Sequence, residues 1–133
     1  MFHSKTILVL DDGVYTGLDL ADAIEAMDGS VAGPLTTIAD TLRILDSTPI
    51  GGAVIDCELP DAPAMATVLS EHNVPIVLQA SGELPEALRA FDGAVCILMR
   101  PVNSKTVLET LLIEIGKAEA RASNMLAAEP KQV

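Results

Sequence analysis

Two apolar runs in this chain end on acids. In TILVLDDG, residues 6–13, five strand-forming residues lead to Asp11 and Asp12; in GGAVIDCELPDAP, residues 51–63, a short apolar climb ends at Asp56. A carboxylate is a hard oxygen ligand, and a few such ligands open to water suit Mg²⁺ better than a zinc site or an all-protein calcium cage. A carboxylate is also a nucleophile that can accept a phosphoryl group as an acyl phosphate. A divalent cation assists that step by offsetting charge on the transferred group. One strand-end Asp is ordinarily a turn former or a helix cap. Three that meet are another matter, since two unit charges roughly 4 Å apart repel by about 4 kcal/mol at an effective dielectric of about 20. A bound cation relieves that repulsion.

Whether they meet depends on the elements that carry them. Strand signals fall at 6–10, 30–34, 52–56, 74–79 and 94–99, short and apolar. Between them lie helical patterns at 16–27, 37–47, 62–73 and 84–91, and a long one at 104–122. The first of these puts Leu20, Ile24 and Met27 on one face; the second, Ile38, Leu42 and Leu45; the last, Val107, Leu108, Leu111, Leu112 and Ile115, with Ser104 as its cap. Strand and helix alternating five times predict an α/β domain, a (βα)5 flavodoxin-like three-layer sandwich with a parallel sheet of order 2-1-3-4-5. In that order strands 1 and 3 are neighbours at the switch point, and ligands bind beyond the carboxyl ends of the strands. Asp11, Asp12 and Asp56 therefore converge. Residues 1–122 are expected to form the single domain and 123–133 a flexible tail.

Composition narrows the possibilities. The chain has 133 residues, a formal net charge of −11, one Tyr, two Phe and no Trp. Such a balance argues against binding a phosphate backbone or an anionic membrane, and no aromatic platform is available for stacking bases. Nucleic acid and membrane are thus excluded as expected partners. No GxGxxG or GxxxxGK[ST] follows a strand, which disfavours nucleotide binding. Cys57 and Cys96 stand apart from each other and from the histidines, and read as buried free thiols in a reducing cytoplasm. With no signal peptide and no apolar run of membrane length, the expected location is the cytoplasm. His3 and His72 read as surface residues, and Met27, Met65 and Met99 as packing residues.

Taken together, ILVLDDG, AVIDCELPD and LMRPV resemble the receiver domain of two-component response regulators, over roughly residues 5–116. The stretch VPIVLQASGELPEAL resembles a subset of receivers with a short fourth helix that often stand alone without an output domain. The resemblance implies that Asp56 is the phosphoacceptor, and that Asp11, Asp12 and Asp56 hold Mg²⁺ with the backbone carbonyl of Glu58. It implies a histidine kinase or histidine phosphotransfer protein as phosphoryl donor. It also implies an interaction face, possible in a homodimer, made of the fourth helix, fifth strand and fifth helix. A cis bond at Arg100–Pro101 is a further implication. On this reading the protein is a phosphoacceptor signalling protein rather than an enzyme.

Three positions depart from the family pattern. Ala80 stands where the family carries Thr or Ser at the end of strand 4, with Ser81 one residue on. Arg100 replaces the family Lys; it keeps the charge and can grip a phosphoryl group bidentately, but is not a compact ammonium. Ile97 falls near the aromatic switch position. These departures leave an alternative open, a pseudo-receiver acting as a phosphorylation-independent interaction module. Glu58 stands where a haloacid-dehalogenase-type phosphatase would carry a second Asp, so turnover of phosphate esters is not expected.

Overall fold

A computed structural model describes residues 2–91 and 95–127. Five parallel strands form one sheet of order β2-β1-β3-β4-β5: β1 (Thr6–Leu10), β2 (Ser30–Leu35), β3 (Gly52–Asp56), β4 (Ile76–Ala80) and β5 (Cys96–Met99). Helices α1 (Val14–Ala26), α2 (Ile38–Ser47) and α3 (Ala62–Glu71) connect the first four strands. A 3₁₀ helix (Glu86–Phe91) follows β4, and α4 (Ser104–Ala127) follows β5. The (βα)5 arrangement and strand order are those expected from the alternating pattern, because parallel neighbours require crossovers and the crossovers cover both faces.

The central strands are buried on both sides, which is why they read as unbroken apolar runs rather than alternating ones. Ile7, Val9, Val54 and Val77 face one core with Leu20 and Ile24 of α1 and Val107, Leu108, Leu111 and Ile115 of α4. Leu8, Leu10, Ala53, Ile55 and Leu78 face the other with Met65, Ala66 and Leu69 of α3. Gly52 opens β3 where α4 crosses it: a Cβ there would sit 3.2 Å from side-chain carbons of Ile115 and Leu111.

Several details differ from expectation. α4 runs to Ala127, beyond residue 122, so it takes in part of the stretch expected to be a tail; residues 128–133 lie outside the described residues. Asn103, not Ser104, caps α4, its Oδ1 accepting from the Thr106 N–H at 2.8 Å. The Ser104 hydroxyl instead donates to Asp19 of α1 at 2.6 Å. On α2 the buried residue is Thr41, while Leu42 is exposed. A ten-residue helix at the margin of the sheet has too narrow a contact to bury its whole apolar stripe. Met99 is also exposed, because β5 is an edge strand with a partner on one side only. The expected strand at 94–99 begins at Cys96, and Ala94 lies outside the described residues. Both cysteines are free, but only Cys57 is buried; Cys96, on the edge strand β5, is half-buried, and His3 and His72 are exposed.

Candidate functional site

The carboxyl ends of β1 and β3 lie side by side, since Leu10 pairs with Ile55 in the register. The next residue on each strand is an acid. Carboxylate oxygens of Asp11, Asp12 and Asp56 come within 4.8 Å of one another. Asp11 is 3% exposed and Asp56 6%, whereas Asp12 faces solvent. Parity explains the difference: Asp11 and Asp56 continue the row of Val9 and Val54, which faces the α1–α4 core.

Each buried acid is held by donors close in sequence. Asp11 Oδ1 accepts from the Gly13 N–H at 2.6 Å and the Thr16 hydroxyl at 3.2 Å. Asp56 Oδ1 accepts from the Glu58 N–H at 2.9 Å. Arg100, first after β5, reaches back across the sheet. Its Nη2 donates to Asp11 Oδ2 at 3.3 Å and its Nη1 to Asp56 Oδ1 at 3.2 Å. The guanidinium is thus a fixed positive charge between two buried negative ones, in the fork geometry that suits carboxylates. No described residue donates to Asp56 Oδ2. The Arg100–Pro101 bond is cis.

The end of β4 decides where a hydroxyl can stand. Ala80 is buried in the α3-side core. Ser81 is exposed, and its Oγ accepts from Arg100 Nη1 at 3.4 Å. The hydroxyl one residue past the family position therefore shares the guanidinium with Asp56. Ile97, near the aromatic switch position, is half-buried and packs against that same core.

Two neighbours escaped the sequence reading. Thr16 holds Asp11 through its hydroxyl; the signal was a Thr five residues after the acid, one turn into a helix. Gln79 is a buried amide in an otherwise apolar strand, and its Cα pairs with that of Asp56. Beside these residues, between α1 and α4, lies a cavity of about 420 Å³ lined by Thr16, Asp19, Gln79, Arg100 and Val107 among others. Tyr15, at the start of α1, is 88% exposed.

Burial shifts one thiol strongly. Cys57, beside the phosphoacceptor candidate, is pushed up to about 11, first by desolvation and then by the Asp56 charge.

No protein-family model matches the sequence, and no curated protein does. Solved structures do match in fold. A response regulator receiver protein from Sinorhizobium medicae WSM419 superposes with a TM-score of 0.74 at 22% identity, covering 89% of this chain and 99% of that one. The signal receiver domain of a modulated diguanylate cyclase from Desulfovibrio desulfuricans G20 gives 0.77 at 22% identity, over 89% and 98%. A CheY-like receiver domain protein from Methanospirillum hungatei JF-1 gives 0.74 at 18%, over 89% and 98%. No helix among the described residues is long and apolar enough to cross a membrane. From strand order to helix placement, the chain has the fold of the response regulator receiver domains.

Proposed function

We propose that this protein is a receiver that accepts a phosphoryl group on Asp56 from a histidine kinase or histidine phosphotransfer protein and signals through protein–protein contact. The observation that carries the reading is the meeting of Asp11, Asp12 and Asp56 at the ends of two adjacent strands, with Arg100 on two of them. Asp56 Oδ2, free of donors from described residues, is the attacking oxygen. It forms an O–P bond as the phosphorus–nitrogen bond of a phosphohistidine breaks, and the electron pair leaves on the imidazole nitrogen. On this reading Arg100, the Glu58 N–H and the Ser81 hydroxyl, which gather around Asp56 Oδ1 and the guanidinium, donate to the phosphoryl oxygens.

The donor set also fits a hard divalent cation. It consists of carboxylate oxygens, one of them facing solvent, which leaves room for the waters that Mg²⁺ retains. Asp11, Asp12 and Asp56 would hold the ion, with the Glu58 carbonyl as a further ligand. When bound, Mg²⁺ offsets the charge that develops on the transferred group. On this reading the contact face is made of the 3₁₀ helix, β5 and α4, usable for a partner or a homodimer, with Met99 exposed on its strand.

A second reading, a phosphorylation-independent interaction module, is favoured by Ala80 and by the guanidinium that already neutralises Asp11 and Asp56. Incubation with acetyl phosphate and Mg²⁺ followed by intact-mass measurement separates the two. The receiver reading expects a gain of one phosphoryl group, lost in Asp56→Asn. No gain in the wild-type chain leaves the second reading standing.

A further inference from the structure

β4 is buried along its whole length, and four of its five residues are apolar. The fifth is Gln79, 5% exposed. Its Nε2 is a buried side-chain nitrogen without a hydrogen-bond partner among the described residues. Buried donors are nearly always paired, because an unmade hydrogen bond forfeits hydration with nothing in return. A hydrocarbon side chain avoids that loss, as Val77 does two residues earlier.

Position indicates what the amide is for. Gln79 and Asp56 are Cα partners on adjacent parallel strands. Val77 and Val54, two residues before each, both face the α1–α4 side, and the two-residue period of a strand puts Gln79 and Asp56 on that side as well. A glutamine is one methylene longer than an aspartate. Next to an aspartate on the same face, its amide stands at the level of a group bonded to the aspartate's oxygen. The cavity that Gln79 lines with Arg100 and Thr16 leaves the amide room to turn. Asp56 Oδ1 is engaged by Arg100 and by the Glu58 N–H, and the Gln79 amide bonds neither carboxylate oxygen; a phosphoryl group on Oδ2 extends the aspartate and brings acceptors out to the level of the amide. The strand also lacks a hydroxyl at Ala80.

We propose that Gln79 contacts the phosphoryl group, its Nε2–H donating to a phosphoryl oxygen on Asp56. This rests on the receiver reading above. The unmodified protein then carries a donor held in reserve, and phosphorylation supplies its acceptor.

The test compares wild type with Gln79→Met, which keeps size and removes both polar atoms, and Gln79→Glu, which keeps shape and replaces the donor with an anion. Beryllofluoride with Mg²⁺ serves as the phosphoryl mimic, read by calorimetry, alongside Mg²⁺ alone and the melting temperature of the unliganded chain. Gln79→Met should bind the mimic about tenfold more weakly, as loss of one hydrogen bond to a charged group implies. Its Mg²⁺ affinity should be unchanged and its melting temperature equal or higher. Gln79→Glu should lose more of the mimic affinity, by repulsion. Unchanged mimic affinity in Gln79→Met overturns the proposal, as does a loss matched by falling stability, which marks a packing role. If wild type binds Mg²⁺ but neither the mimic nor the phosphoryl group of acetyl phosphate, the receiver reading itself fails, and the contact with it.

Discussion

Arg100 brings to the site a planar guanidinium with several donors in a fixed fork. Its two terminal nitrogens lie on Asp11 and Asp56, and its side chain is 21% exposed. Removing it leaves two buried carboxylates facing each other. Arg100→Ala is therefore expected to lose about 1–3 kcal/mol of stability in chelator, and Mg²⁺ is expected to restore part of it; urea midpoints in the two conditions check this. Cys57 makes a second prediction. Its folded thiol titrates at about 11 against 9.0 for the free group. Below pH 9 both states hold the proton and stability is indifferent to this residue. Between pH 9 and 11 the unfolded chain releases its proton and the folded one does not, so stability falls as pH rises. Cys57→Ala should flatten that slope in denaturation curves taken across the interval. At this scale the acids were legible in the sequence because an Asp ending an apolar run stands out against its neighbours. Gln79 and Thr16 were not, since a polar residue at a strand end or in a first helical turn is commonplace until its partner is known. Ser81 against Ala80 was a question of which way a side chain points, and only the backbone path past β4 answers it.

The elements are joined by side chains that serve a neighbour rather than their own segment. Asp61 precedes α3, yet it makes no side-chain hydrogen bond to that helix. Its Oδ2 accepts from the Ile38 N–H at 2.8 Å, at the first turn of α2. The loop that carries Asp56 is thereby pinned to the helix beside it. Asp61→Ala should cost about 1 kcal/mol, the usual worth of a cap. Amide hydrogen exchange should speed up in the first turn of α2 while α3 keeps its protection; loss confined to α3 would contradict the assignment. Strand spans were legible from apolar runs, and β1 and β3 fall where those runs do. Helix faces were less so. Spacing grouped Leu42 with Ile38 and Leu45, but periodicity reports which residues share a face, not how much of that face a short, marginal helix covers. The cap of α4 was displaced by one residue for a related reason: Asn103 and Ser104 are both good caps, and the contact of Ser104 with Asp19 on another helix decides between them.

Across the whole molecule, eight basic residues face nineteen acidic ones, and three of the acids meet at one end of the sheet. A chain so unbalanced repels itself when compact. Added NaCl should raise the melting temperature in the absence of divalent ions by screening that repulsion. Mg²⁺ should raise it further at constant ionic strength, by about 2.7 kcal/mol of stabilisation at a hundred times its dissociation constant. Asp12→Asn should blunt the second effect and leave the first, which scanning calorimetry can distinguish. The topology was readable from the alternation of strand and helix alone, because parallel pairing and right-handed crossovers leave few arrangements. The identity of a partner was not, since the surfaces it would use are solvated and their side chains answer to no packing rule. One surface residue has a practical use. Tyr15 sits three positions after Asp12, almost wholly open to water, and the chain holds no tryptophan and no second tyrosine. Excited beyond the absorption of its two phenylalanines, the protein emits from a single phenol close in sequence to the acidic cluster. Events there can be followed by intrinsic fluorescence, without an attached dye.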